Sequence, residues 1–214
     1  MDNLTKRIAV IGLYNSGSTV LAGMLHRLGV NMGPPFWITS DDNHPSNFYE
    51  PHFLTLQLRQ WWTEPDLFEK APASQRVAFL ADWLQRQQSS RPGPVGAKHP
   101  LLTMCVPDLL SAWGSDTQVI WARRSFNDSV AGLHRRRWFK PNQIISLQTK
   151  LWDILHALDA KHHLIKFDWN HVKSDPAWAA QQLASSIGLT PTPDQLHAAT
   201  QFVRPTSQQD STAA

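Results

Sequence analysis

The chain has 214 residues, a net charge of +3 and 42% hydrophobic against 17% charged residues, which excludes a disordered chain and supports one soluble globular domain with a full core. Its mildly basic balance favours anionic ligands without demanding nucleic acid. The single cysteine, Cys105, excludes an intrachain disulfide framework and fits a reducing compartment such as the cytoplasm.

No apolar run reaches membrane-spanning length, and residues 1–7 lead into a strand pattern with no secretory leader. Residues 8–11 form an apolar run that stops at Gly12. A loop over 13–18 follows, then a helical pattern carrying Val20, Leu21, Met24, Leu25 and Leu28 on one side, stopped by Gly29. Strand, glycine-bearing loop and helix gather backbone N–H groups and the hydroxyls of Ser16, Ser18 and Thr19 in one place, which suits a phosphate. Gly12-x-x-x-x-Gly17 has the spacing of an ATP-binding P-loop, but Ser18 stands where that loop carries its lysine. The competing reading of the stretch is an ordinary strand-to-helix turn with a serine cap.

Residues 31–53 read as one long loop, rich in Pro, Asn, Asp and Ser, with Phe36, Trp37, Phe48 and Tyr49 needing cover and Glu50 and His52 near its end. Helices are expected over 53–62 and from an N-cap at Ser74 through Leu84, with a polar break at 89–94. Strands are expected at 95–98, 118–122 and 163–167. Helices are expected at 107–113, 125–138, 142–160 and from Pro176 through Ile187, with a last short one after Pro193. The alternation predicts an α/β fold: a three-layer P-loop-like domain over residues 1–206, with a central parallel sheet flanked by helices. Residues 207–214 read as a disordered tail. In such sheets ligands bind beyond the C-terminal strand ends, where the first loop, Lys98-His99 and Arg123-Arg124 should meet.

In order and spacing, these segments resemble the sulfotransferase family that uses 3′-phosphoadenosine 5′-phosphosulfate (PAPS), most closely its small bacterial members, over about residues 7–204. Residues 12–30 resemble the 5′-phosphosulfate loop, usually Gly-x-x-Arg/Lys-Ser-Gly-Thr-Ser/Thr. Asn47-Phe48-Tyr49-Glu50 resembles a motif ending in glutamate, and Lys98-His99-Pro100 a Lys-x-Pro element near the donor. Residues 119–136 resemble the 3′-phosphate segment, and 166–189 a late strand-loop-helix module ending in Gly-Leu. Two positions depart from the family pattern. Asn15 stands in place of the loop's basic residue. After Arg124 and Asp128, Gly132 stands where a serine is expected.

The resemblance implies a sulfotransferase that moves a sulfuryl group from PAPS to a hydroxyl or amine of a small molecule or glycan, with no metal. It assigns the donor to Asn15, Ser16, Gly17, Ser18, Thr19 and Arg124, with Ser129 or Ser125 in place of the missing serine and Arg123 and Arg204 as further cations. Lys98 would stabilise the leaving phosphate. Either Glu50 or His99 would serve as base. The two departures keep open a catalytically silent nucleotide-binding or interaction protein on the same fold, and a P-loop kinase stands behind both. The histidines at 44, 52, 156, 162 and 163 lack metal-ligand spacing. Arg135-Arg136-Arg137 fans round a helix instead of forming a nucleic-acid stripe. Cys105 reads as core.

Overall fold

The computed structural model describes residues 6–37 and 48–203. The expectations for His44, Asn47, Arg204 and the tail over 207–214 fall outside the described residues. Four strands form a parallel sheet in the order β4-β1-β5-β6: β1 (Arg7–Gly12), β4 (Val95–Lys98), β5 (Gln118–Arg123) and β6 (Ile165–Asp168). Their near-continuous apolar character follows from helices on both faces. Side chains alternate along each strand, so Ile8 and Val10 join Ile120, Ala122 and Phe167 in one core layer, while Ala9 and Ile11 join Val119 and Trp121 in the other.

The first layer is covered by α1 (Ser18–Arg27), α8 (Pro176–Ser186) and α9 (Pro193–Phe202). The second is covered by α2 (His52–Trp61), α3 (Ala73–Ser90), α4 (Val106–Trp113) and α6 (Pro141–His162). In the second layer, Trp83 stacks on Trp113 at 5.5 Å, and the Trp113 indole N–H donates to the Leu80 carbonyl at 2.9 Å. Helix α1 leaves β1 on one face and α4 follows β4 on the other, and in sheets built this way the C-terminal ends of the strands are where ligands bind. Strand register brings Val10 level with Lys98, Gly12 with Ala122, and Arg123 with Asp168 at that edge.

The structure bears out the predicted α/β architecture and all four strand segments. Several boundaries differ. Helix α3 starts at Ala73 with Pro72 as its N-cap, so Ser74 lies inside the first turn instead of capping it. Helix α5 (Phe126–Arg136) ends where Arg137 takes a left-handed conformation, which leaves Trp138 outside it. Pro141 both ends that region and opens α6 at its first position, where a missing N–H costs nothing. A small hairpin of β2 (Trp62–Thr63) and β3 (Phe68–Glu69), a 3-10 turn over Pro100–Cys105 and the short helix α7 (Trp169–Ser174) were not foreseen. No helix among the described residues is long and apolar enough to cross a membrane.

Replacing Trp113 with alanine removes a buried ring and its indole hydrogen bond to the Leu80 carbonyl, so unfolding free energy should drop by roughly 3–5 kcal/mol in a denaturant titration.

Candidate functional site

The loop after β1 turns on two left-handed residues. Asn15 has φ 60° and Gly17 has φ 90°. Gly17 is also the N-cap of α1 and brings no side-chain cap, so the first N–H groups of the helix keep no side-chain partner there. Any Cβ at Gly17 would come 2.5 Å from the Trp169 ring, which packs on the loop from α7. The site therefore needs glycine at 17 twice over, for backbone and for space. Ser16 is buried and its Oγ has no hydrogen-bond partner. The expected serine cap is not formed.

The loop is held from below. Gln148, fully buried on α6, accepts from the Tyr14 N–H at 3.2 Å and donates to the Tyr14 carbonyl at 2.9 Å. The Tyr14 hydroxyl donates to Glu64, whose carboxylate also lies 3.7 Å from Arg59, and the Tyr14 ring meets Phe139 edge-on. Burial and Glu64 both push the Tyr14 phenol well up, so it stays a donor.

At the end of β4, Lys98 donates to Glu50 Oε1 at 2.7 Å and to Thr19 Oγ1 at 3.2 Å, with its Nζ 5.7 Å from the centre of the Phe48 ring. Lys98 is only 3% exposed and Glu50 8%. An ammonium has three donors, so one stays available beside the loop. Glu50 is fixed through its backbone: its carbonyl accepts from Trp37 N–H at 2.7 Å, and Phe36 pairs antiparallel with Pro51. The two ends of the long loop thus grip each other and set the carboxylate. Burial alone would raise the Glu50 carboxyl. Lys98 and His99 beside it outweigh burial and hold it below the ordinary carboxylate value.

His99 is buried, and its Nδ1 accepts from the Leu101 N–H at 3.0 Å. Its Nε2 lies 3.7 Å from Glu50 Oε2. Burial pushes the imidazole down to about 4, with Lys98 adding and Glu50 opposing. Near neutral pH the ring is uncharged, and because Nδ1 accepts, its proton sits on Nε2, facing Glu50.

At the end of β5, Arg124 reaches back and donates from Nη1 to the Asn15 carbonyl at 3.2 Å, with its guanidinium 6.0 Å from the centre of the Trp169 ring. Its Nε is buried without a partner. Arg123 points elsewhere, exposed and 3.8 Å from Asp168. On α5, Ser125 caps the helix by accepting from Asp128 N–H at 3.1 Å, whereas Ser129 is fully buried with an unpartnered Oγ. The structure therefore brings together Asn15, Ser16, Gly17, Thr19 and Arg124 at the loop, with Lys98, Glu50 and His99 on its other side. Among the long-loop aromatics, Phe36 and Tyr49 pack against His26, and Tyr49 accepts from Arg27 at 2.8 Å. The Phe48 ring lies near Lys98 and Arg136 and meets Trp138 edge-on. Cys105 is buried in the core, accepts from Trp62 Nε1 at 3.3 Å, and its thiol is pushed up to about 12 by burial.

Sequence reasoning missed Trp169 and Gln148. A tryptophan after a short strand and a glutamine within a helical apolar stripe carry no pattern that marks them. Gln148 was findable only as a polar residue one position beyond the core-facing Leu147.

No family model matches the chain, and no curated protein does. Among solved structures it is similar to the sulfotransferase STF1 of Mycobacterium tuberculosis H37Rv, at 16% identity over 92% of this chain and 71% of that one, with a TM-score of 0.56. The sulfotransferase STF9 of Mycobacterium avium gives 14% identity over 93% of this chain and 68% of that one, with a TM-score of 0.60. The sulfotransferase domain of the Synechococcus PCC 7002 olefin synthase gives 17% identity over 96% and 83%, with a TM-score of 0.54. The chain has the fold these proteins share.

Two outcomes follow from the geometry. Gln148→Leu keeps the bulk but leaves the Tyr14 N–H and carbonyl buried without partners, so denaturant unfolding should show a loss of roughly 1–3 kcal/mol for each group. The second concerns pH. An unfolded histidine titrates near 6.5, and folded His99 near 4. The unfolded chain therefore binds the proton first. Stability is full above about pH 6.5 and falls as pH drops toward 4. Glu50 adds its own loss only below 4.5, its ordinary value. His99→Asn should flatten the limb between 6.5 and 4 in unfolding midpoints measured across pH.

Proposed function

We propose that the chain is a sulfotransferase that takes its sulfuryl group from PAPS and passes it to a hydroxyl or amine of a small molecule or glycan. One observation carries the reading. Ser16 Oγ, Ser129 Oγ and Arg124 Nε are buried without partners on the loop and the adjoining β5–α5 segment, next to a helix start with no side-chain cap and a buried ammonium. Each such group costs roughly 1–3 kcal/mol if left unmet, and a bound anion with two phosphate ends meets them. The shared fold and the order of the motifs support the same reading.

Bound PAPS supplies an activated sulfuryl group. In this proposal the N–H groups from Ser16 to Thr19 and the third donor of Lys98 stabilise the charge that grows on the departing 5′-phosphate oxygen. Arg124 holds the 3′-phosphate. Glu50 accepts the acceptor's proton, since it is ionised throughout the neutral range. His99 Nε2–H faces the carboxylate and orients it, so it acts as a positioning residue. The acceptor enters past Phe48, with Arg136 and Trp138 at the rim, where Trp138 is 45% exposed.

A second reading has its own support. Asn15 brings no charge to the loop, and Lys98 is already paired with Glu50, which would suit a protein that binds nucleotide without turnover. A kinase is disfavoured because Ser18 holds the place of the P-loop lysine.

Calorimetry with 3′-phosphoadenosine 5′-phosphate, AMP and ATP should give selective binding of the bisphosphate that Arg124→Ala weakens at least about tenfold. Equal affinity for ATP would sink the reading. Glu50→Gln should abolish transfer of radiolabelled sulfate while sparing bisphosphate binding, and an inactive wild type that binds normally would establish the silent relative.

A further inference from the structure

The two departures from the family pattern meet in space. Asn15 turns its carboxamide toward α5, and a Cβ built on Gly132 would fall inside that carboxamide, against Nδ2. No side chain fits at 132 while Asn15 keeps this position. Gly132 is buried and lies one turn beyond Ser129 on the same helix. The backbone carbonyl of Asn15 accepts from Arg124. The Asn15 side chain makes no hydrogen bond among the described residues, although its amide carries two donors. Asn15 therefore serves the Arg124 end of the loop, and Lys98 is left as the cation on the opposite side.

We infer that Asn15 is a specificity-determining ligand for the 3′-phosphate of the bound nucleotide, and that Gly132 exists to make room for its amide. This rests on the sulfotransferase reading above. A hydroxyl donor expected from position 132 is replaced by an amide donor supplied across the same gap from position 15. The exchange is donor for donor, so it preserves recognition of the 3′-phosphate while removing the loop's cationic residue. Gly132→Ser alone puts a side chain where the amide already lies, and Asn15→Gly alone removes the donor but keeps the left-handed backbone.

The test is calorimetric titration of the full chain with 3′-phosphoadenosine 5′-phosphate and with AMP, in wild type, Asn15→Gly, Gly132→Ser and the double variant. The wild type should prefer the bisphosphate. Asn15→Gly should lose about tenfold in bisphosphate affinity with AMP affinity unchanged, which is the worth of a hydrogen bond to a charged group. Gly132→Ser should lose a similar factor, and the double variant should recover most of it through the new hydroxyl. Asn15→Gly that keeps the bisphosphate preference, or weakens both nucleotides equally, overturns the inference while leaving the sulfotransferase reading intact. A wild type that binds neither nucleotide overturns both. Thermal unfolding without ligand gives an independent arm: Gly132→Ala should lower Tm in the wild-type background and not in Asn15→Gly, and additive effects would overturn the contact.

Discussion

The buried pair of Lys98 and Glu50 is the constraint on which the rest of the site depends. Two ions 2.7 Å apart, both almost wholly removed from water, stand only if their attraction and further hydrogen bonds offset desolvation. The pair draws on three separate segments. Lys98 ends β4, Glu50 closes the long loop, and Thr19 adds the first turn of α1. Removing either ion leaves the other uncompensated, so the pair ties the placement of the long loop to that of the loop after β1. The same pairing tempers Lys98. Its charge is shared with Glu50 and remains one donor short of saturation.

From that pair the division of labour between Glu50 and His99 follows. The sequence offered both as bases, and nothing in residue type separates them. Local geometry does. The Leu101 N–H occupies His99 Nδ1, which fixes the ring proton on Nε2 and turns the histidine into a donor toward the carboxylate. A neutral donor beside Glu50 and a cation on its other oxygen both favour the ionised acid. Basicity is traded for a carboxylate of fixed charge and fixed direction.

How much of this was legible in the sequence depends on the range of the interaction. The sheet was legible, because each strand is a short apolar run bounded by loop residues and its two faces alternate between two cores. The convergence of the first loop, Lys98-His99 and Arg124 followed from parallel topology alone. Cap positions were harder: Ser74 has the right chemistry for an N-cap, but Pro72 ends the extended backbone two residues earlier. Helix α7 was missed because its start, Trp169-Asn170, carries no apolar period and is set by the Asp168 side chain accepting from Asn170. Gln148 and Trp169 act through contacts with the distant loop over 12–19, which no local pattern encodes.

The contact between Asn15 and Gly132 shows why motif departures should be weighed in pairs. Taken singly, each looks like loss: a missing charge at 15, a missing hydroxyl at 132. Packed together, the absence of a side chain at one position is what admits the side chain at the other. A glycine in the middle of α5 costs about 1 kcal/mol against alanine, with φ in no need of it, so its presence requires a packing reason. The carboxamide supplies that reason. The loop's left-handed residue at φ 60° suits asparagine better than a long cation, because asparagine is among the few side chains that tolerate that conformation. Backbone, helix and loop thus agree on the same pair of residues, and the arrangement is better explained as one coupled solution than as two independent defects.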